Sequence, residues 1–238
     1  MTVPDPPDPV TYETEIKIAL TSAADHDRLQ AALPAPRRVV LQRNLFLDTP
    51  DGRLRARRFT LRLRLEERLG SGDGPARQAL LAVKGKAAQL AGAVHRTDIE
   101  VPLDPDLWEA AYGQGGLHPA ELEGAPVEFL RSQVALDPHA PLEVIMSFEN
   151  RRASYPMELG GAVRELLLDR TVFGTGEIDH EIEVEVALQG GLDRPENEET
   201  LRRVEQQVRA LLREHGVVAA PRRGGKFSRS LHYAARSR

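Results

Sequence analysis

The sequence has no cysteine among its 238 residues. This absence excludes disulfide scaffolds, Cys-ligated zinc and iron–sulfur sites, and thiol catalysis. The sequence also lacks any apolar run that approaches the ~20 residues needed to span a bilayer. Its first residues have neither the basic nor the apolar segment of a secretory signal. We therefore expect a cytoplasmic protein with no membrane partner.

The charge balance gives no sign of a large polyanionic partner. The 32 basic and 36 acidic residues leave a net charge of −4. Aromatic residues make up 5% of the chain and do not interleave with the arginines of segment 53–58, as they would in a typical nucleic-acid surface. We expect no nucleic-acid partner.

Lysine is scarce, and the four lysines are Lys17, Lys84, Lys86 and Lys226, so 28 of the 32 basic residues are arginine. A sequence with this bias keeps lysine most readily where a planar guanidinium does not replace a compact ammonium on a flexible stem. All four lysines are therefore candidate functional residues.

Alternation of apolar and polar residues predicts half-buried strands along most of the chain. The first strand begins at Tyr12, and seven more are predicted over 39–48, 59–67, 79–86, 95–103, 143–154, 163–172 and 180–188. Helical spacing and capping residues predict helices over 22–33, 106–112, 127–134 and 196–215. The proline-rich segment 1–10 is predicted to be a disordered lead-in. Without a repeat or a dividing linker, residues 11–238 are predicted to form a single domain.

One face of most predicted strands is charged. Glu181, Glu183 and Glu185 occupy alternate positions of the last strand, although glutamate is a poor strand former and like charges repel. Such a strand needs cations nearby, either metal ions or basic side chains of neighbouring strands. Eight antiparallel strands can close into a barrel. We therefore predict a mainly β fold, an eight-stranded closed antiparallel tunnel with a charged lumen and helices outside.

Short charged motifs follow one another in order along the chain. The first, at 12–17, contains Glu13, Glu15 and Lys17 in the pattern ExExK, and the others lie at 44–49, 61–64, 83–86, 96–100, 150–152, 168–169, 181–185 and 225–227. This succession resembles the CYTH superfamily, the triphosphate tunnel metalloenzymes, over residues 11–233.

The resemblance implies a tunnel that binds a triphosphate together with one or two divalent cations, Mg²⁺ or Mn²⁺. It implies metal ligation by Glu13 and Glu15 with two of three last-strand glutamates, and leaves open which of Glu181, Glu183 and Glu185 is spare. The phosphate contacts that it implies are Lys17, Arg62, Arg64, Lys84, Arg96, Lys226 and either Arg151 or Arg152. Candidate catalytic groups are Lys17, Glu100 and Glu183. The roles of Lys86 and of Asp98, which stands where the family usually has glutamate, stay open.

Three functions fit these expectations. The first is metal-assisted attack of water on a terminal phosphoryl group of inorganic, nucleoside or thiamine triphosphate. The second is a class IV-type adenylate cyclase that makes cyclic AMP, and the third is a non-catalytic polyphosphate or nucleotide sensor. The intact carboxylate set favours an enzyme, and the breadth of hydrolase activity in the family favours the triphosphatase. The expected partner is a small-molecule triphosphate, with a homodimer left open.

Overall fold

The computed structural model describes residues 11–71, 74–189, 194–221 and 224–236. The strands are β1 (Tyr12–Leu20), β2 (Arg38–Asp48), β3 (Thr60–Arg68), β4 (Arg77–Lys84), β5 (Ala88–Leu90), β6 (Ala93–Leu103), β7 (Gly116–Leu117), β8 (Leu142–Leu159), β9 (Ala162–Phe173), β10 (Ile178–Glu185) and β11 (Ala219–Pro221). The helices are α1 (Ala23–Ala32), α2 (Arg53–Ala56), α3 (Pro105–Gln114), α4 (Ala125–Val134), α5 (Pro195–Glu214) and α6 (Lys226–Arg236), with a 3-10 turn at Pro119–Glu121.

Eight of these strands close into an antiparallel barrel. Their order around the barrel is β1, β10, β9, β8, β2, β3, β4 and β6, and the ring closes where β6 pairs with β1. The closing register places Glu13 opposite Arg96. The short strands β5, β7 and β11 pair at the margins of this ring. The predicted eight-stranded closed barrel is therefore confirmed.

Two apolar clusters cover the outside of the barrel. On one side, Ile18 and Ile182 pack in a cluster with Leu29 of α1 and Val204 of α5. On the other side, outward leucines of β3 and β4 share a cluster with Trp108 of α3 and with residues of α4. Successive side chains of a strand point to opposite faces. Burial of the apolar faces against the helices therefore turns the charged faces into the barrel.

The four predicted helices are present as α1, α3, α4 and α5, with small differences at their ends. Helix α1 begins after Ser22, whose hydroxyl accepts a hydrogen bond of 3.1 Å from the backbone N–H of Asp25. Helix α6 and the four-residue helix α2 were not predicted. Within the described segments, no helix combines the length and the apolar character needed to cross a membrane.

The predicted domain organisation remains a prediction. The lead-in over 1–10 lies outside the described residues, and the extent of a single domain over 11–238 stays an expectation from the sequence.

Candidate functional site

A cavity of about 680 Å³ lies inside the barrel, within the size range of small-molecule sites. Among the described residues, ten basic side chains line it, namely Lys17, Arg55, Arg58, Arg62, Arg64, Lys84, Lys86, Arg96, Arg152 and Lys226. Six acidic side chains line it as well, namely Glu13, Glu15, Asp98, Glu100, Glu183 and Glu185. The excess of positive charge suits an anionic ligand of several charges. All four lysines of the chain are in this lining.

Strand β3 contributes two arginines that hold one carboxylate. Arg62 Nη2 lies 3.1 Å from Glu100 Oε2, and Arg64 Nη2 lies 2.7 Å from the same oxygen. Burial, reinforced by the neighbouring Arg64, lowers the pKa of Arg62 to about 10. The positive charges of the two guanidiniums therefore repel each other, and an anion placed between them stabilises both.

A second group of ion pairs joins β1 to β4 and β6. Lys84 Nζ lies 2.6 Å from both Glu13 Oε2 and Asp98 Oδ2. Arg96 Nη2 lies 2.7 Å from Glu15 Oε1. Burial acts to raise the pKa of Glu13, but Lys84 and Arg96 outweigh burial and hold that pKa far below its usual range. Glu13 is therefore a carboxylate throughout the neutral range.

The first residue of α6 enters a buried acidic cluster. Asp169, Glu181 and Glu183 bring carboxylate oxygens within 4.8 Å of one another. Lys226 Nζ lies 2.8 Å from Asp169 Oδ2 and 2.8 Å from Glu183 Oε1, and it also contacts Glu181. The three oxygens could surround a cation, and the Lys226 ammonium already takes that position.

Further cations complete this cluster. Arg152 Nε donates to Asp169 Oδ1 over 2.8 Å, and its Nη2 donates to Glu183. Arg229 Nη2 lies 3.1 Å from Glu181 Oε1. Burial acts to raise the pKa of Glu183, but Lys17, Lys226 and Arg152 hold it well below its usual range.

Glu185 has a different environment from the other two glutamates of β10. It stands opposite Glu15 in the β1–β10 register. Within the described residues it has no hydrogen bond and no ion pair. Burial, together with the negative charges of Glu13 and Glu15, raises its pKa. Glu13 and Glu15 already have basic partners, so Glu185, which has none among the described residues, is the carboxylate of this group that gains most from a nearby cation.

The structure brings most of the predicted site residues together. Those that line the cavity are Glu13, Glu15, Lys17, Arg62, Arg64, Lys84, Arg96, Glu100, Arg152, Glu183, Glu185 and Lys226. Glu181 lies beside them, with 1% of the residue exposed. Asp98 and Lys86, whose roles were left open, also line the cavity.

Arg151 is not brought to the cavity. It follows Asn150 and precedes Arg152, both of which line the cavity, so strand alternation turns Arg151 outward. Its Nη1 donates to Gln30 Oε1 of α1 over 3.2 Å. Of the two arginines offered as alternatives, Arg152 is therefore the one in the site.

Sequence reasoning missed an aromatic part of the lining. Phe46, Phe148 and Phe227 all line the cavity. The Phe46 and Phe227 ring centroids are 5.0 Å apart, and those of Phe46 and Phe148 are 5.4 Å apart. Phe227 and Leu231 stand four residues apart on α6, and this helical spacing was the available signal. These rings offer an apolar surface to a ligand held by the charged residues.

Three of the solved structures that resemble this chain cover nearly all of it. An adenylyl cyclase candidate from Hippeastrum, described as having a dominant triphosphatase activity, is 26% identical with a TM-score of 0.73, over 91% of this chain and 93% of that chain. An adenylate cyclase candidate from Bacillus halodurans is 20% identical with a TM-score of 0.59, over 92% and 97%. A protein from Pyrococcus horikoshii is 17% identical with a TM-score of 0.55, over 94% and 99%. The last two show the fold alone.

The family comparison concerns most of the chain. The family model of the CYTH domain matches residues 11–191. A comparison with curated proteins finds no match.

Proposed function

Because the chain belongs to the CYTH domain family, we propose that it is a metal-dependent hydrolase of triphosphate-containing substrates. The substrate class comprises inorganic triphosphate and nucleoside or thiamine triphosphates. The observation that carries the proposal is the cavity in which, among the described residues, ten basic side chains face six carboxylates. The dominant triphosphatase activity of the similar Hippeastrum protein supports hydrolysis over cyclisation.

Binding of the phosphates falls to cations on two sides of the cavity. Arg62 and Arg64 of β3 present planar guanidiniums, which suit bidentate contact with phosphate oxygens. Lys17, Arg152 and Lys226 approach from the side of β1, β8 and α6. In this arrangement the phosphate oxygens take over the contacts that the arginines make with Glu100.

We assign the metal that the family implies to Glu13, Glu15 and Glu185, because in the described cluster whose carboxylate oxygens lie within 4.8 Å of one another, Asp169, Glu181 and Glu183, the Lys226 ammonium takes the position of a cation. Glu13, Glu15 and Glu185 provide carboxylate oxygens, the donors that Mg²⁺ and Mn²⁺ prefer. Glu185 lacks a basic partner in the described chain, and its pKa is raised by burial and by the two facing carboxylates. A bound divalent cation neutralises phosphate charge and lowers the pKa of a bound water. Neither Glu181 nor Glu183 ligates the metal in this proposal, because Lys226 and Arg229 neutralise Glu181, and Lys17, Arg152 and Lys226 neutralise Glu183.

We assign the orientation of the attacking water to Glu100. About a third of its side chain is exposed, at 32%, against 6% for Glu183, so Glu100 can accept a hydrogen bond from water in the cavity. Glu183 contacts Lys17, Arg152 and Lys226. Its part is to position these three cations, and Lys17 contributes positive charge at the phosphates.

The cavity also contains what an organic substrate would need. Phe46, Phe148 and Phe227 can pack against a base or a thiazolium ring. The cyclase alternative uses the same cavity, and the product alone distinguishes it from a hydrolase. The sensor alternative predicts binding without a product.

The test supplies inorganic triphosphate, ATP and thiamine triphosphate to the purified protein, each with Mg²⁺ or Mn²⁺. Phosphate release is measured, and for ATP the cyclic AMP is separated from ADP. We expect phosphate from at least one substrate with little cyclic AMP, and no release after chelation of the metal. Formation of cyclic AMP and pyrophosphate would show that the protein is a cyclase and not a hydrolase. Binding of a substrate without formation of any product would show that the protein is a sensor.

A further inference from the structure

Two arginines stand side by side on the outer wall of the barrel. Arg151 of β8 is directly opposite Arg170 of β9 in the register. Both side chains are partly exposed. Arg151 donates to the uncharged Gln30, and Arg170 has no hydrogen bond and no ion pair within the described residues. Like charges in directly opposed positions of a sheet destabilise it, so this pair gains from an anion.

Two histidines extend the arginine pair. His180 of β10 is directly opposite Arg170, so three neighbouring strands carry Arg151, Arg170 and His180 in one row. His26 of α1 packs on His180, with ring centroids 4.9 Å apart. We name these four residues the outer basic row.

Nearby carboxylates do not neutralise the two arginines of the outer basic row. Glu149, two residues before Arg151, pairs with Arg43 over 3.2 Å. Asp27 contacts His26 Nδ1 at 3.2 Å, with 80% of its side chain exposed. Neither contacts Arg151 or Arg170 within the ion-pair distance. Apart from the bond of Arg151 to Gln30, the two guanidiniums thus keep their donors available to a ligand, whereas Arg43 on the same outer wall is paired with Glu67 and Glu149.

We propose that the outer basic row binds a phosphate-type dianion, either inorganic phosphate or the phosphate of a phosphomonoester. The two adjacent guanidiniums provide the paired donors that such oxygens accept. The amide NH₂ of Gln30 provides a further donor at the edge, and the buried imidazoles of His26 and His180 lie beside it.

The ligand is a small anion rather than a nucleic acid or a polyphosphate. In the register, Leu41 stands beyond Arg151 and Leu20 stands beyond His180. The row is therefore bounded by apolar residues at both ends. A long polyanion needs a continued basic stripe, which this part of the described wall does not provide.

This site is separate from the cavity, and the proposal does not rest on the proposed function. Arg151 and Arg152 are neighbours in the chain, but Arg152 points into the barrel and Arg151 points out. One sheet thickness separates the two sites. The outer site is consequently testable without any turnover.

The experiment follows the ring resonances of His26 by NMR while inorganic phosphate is added at constant pH and ionic strength, with a chelator present. The His26→Gln variant identifies the signals. We expect a saturable shift in the wild-type protein, and the same shift in Arg43→Gln and in the cavity variant Arg62→Gln. In Arg170→Gln the affinity should fall about tenfold, as for loss of a charge-assisted hydrogen bond. In Arg151→Gln/Arg170→Gln the shift should disappear.

Folding is checked in each variant by the remaining amide spectrum, and Arg170→Lys, which keeps the charge, should retain binding weakened by a few-fold. Methyl phosphate separates the two sources of the anion. A shift with phosphate alone identifies the free anion, and equal shifts with both compounds show that a phosphomonoester is admitted. No saturable shift with either compound, or an unchanged shift in a folded Arg151→Gln/Arg170→Gln protein, would overturn the proposal.

Discussion

Lys17 and Glu183 stand opposite each other on β1 and β10, with Lys17 Nζ 2.6 Å from Glu183 Oε1. Their side chains are 8% and 6% exposed. Burial acts to lower the pKa of Lys17, but Glu15 and Glu183 outweigh burial and raise it. The pair is therefore charged and buried at neutral pH, so it contributes both to the stability of the barrel and to the charge of the cavity.

This pairing predicts that stability and activity can be separated. Lys17→Met leaves Glu183 with fewer cations, and breaking a buried pair lowers the free energy of unfolding by about 3–5 kcal/mol. Lys17→Met/Glu183→Gln removes both charges of this pair but leaves Arg152 and Lys226 with one carboxylate fewer, so it should recover only part of that loss. Urea denaturation gives the stability, and phosphate release gives the activity. We expect both variants to be inactive. An active double variant would show that Lys17 does not contact the phosphates.

The metal assignment predicts different effects for two glutamates of the same strand. Glu185→Gln removes a ligand and should weaken Mn²⁺ binding by at least the ~10–100-fold that is typical of losing a second-shell partner. Glu181→Gln should leave Mn²⁺ affinity within about twofold and should lower stability, because Lys226 and Arg229 lose a charged partner. Calorimetric titration measures the affinity. A larger loss of Mn²⁺ affinity in Glu181→Gln than in Glu185→Gln would show that the metal binds at the Asp169–Glu181–Glu183 cluster instead.

The hydrogen-bonded carboxylate of Asp25 should make the stability of the folded protein depend on pH. Hydrogen bonds from Ser22, Thr21 and the backbone of Val218 lower its pKa in the folded protein. Its unfolded pKa is about 3.9, so its contribution is complete above that value and is lost as the pH falls through the folded pKa. Asp25→Asn should therefore melt several degrees lower at pH 7, with a smaller difference from wild type below about pH 4. Thermal unfolding at both pH values checks this, and a constant difference would contradict it.

Replacement of the buried Tyr155 by phenylalanine should stabilise the folded protein. The residue is 1% exposed, and its hydroxyl has no hydrogen-bond partner within the described residues. An unpaired buried hydroxyl is unfavourable, so Tyr155→Phe should raise the free energy of unfolding by about 1 kcal/mol. Tyr112, at 63% exposed, provides the control Tyr112→Phe, which should change nothing. Destabilisation by Tyr155→Phe would mean that the hydroxyl is satisfied in solution.

The strands and the direction of their charged faces were predictable because alternation records which face meets the helices. Ile16 and Ile18 pack against α1 and α5, and this burial fixes Glu15 and Lys17 on the inner face. The same alternation places Arg152 inside the barrel and Arg151 outside. Which of the two points inward depends on the register of β8, which the sequence alone left open.

The individual roles of the glutamates were not predictable. Glu181 and Glu185 share one face of β10, and they differ in what other elements bring to them. Lys226 of the unpredicted helix α6 neutralises Glu181, whereas Glu185 faces Glu13 and Glu15. Contacts between distant parts of the chain set this difference, and local pattern does not record them.

The measurement that tests the central claim most directly is kcat/KM for inorganic triphosphate in Arg62→Gln/Arg64→Gln and in Arg43→Gln. Arg43 is an arginine of the outer wall, paired with Glu67 over 2.7 Å. If the cavity binds the triphosphate for hydrolysis, the double variant loses about 10²–10³-fold or more, and Arg43→Gln stays within about twofold of wild type. A folded Arg62→Gln/Arg64→Gln protein with wild-type kcat/KM would contradict the account.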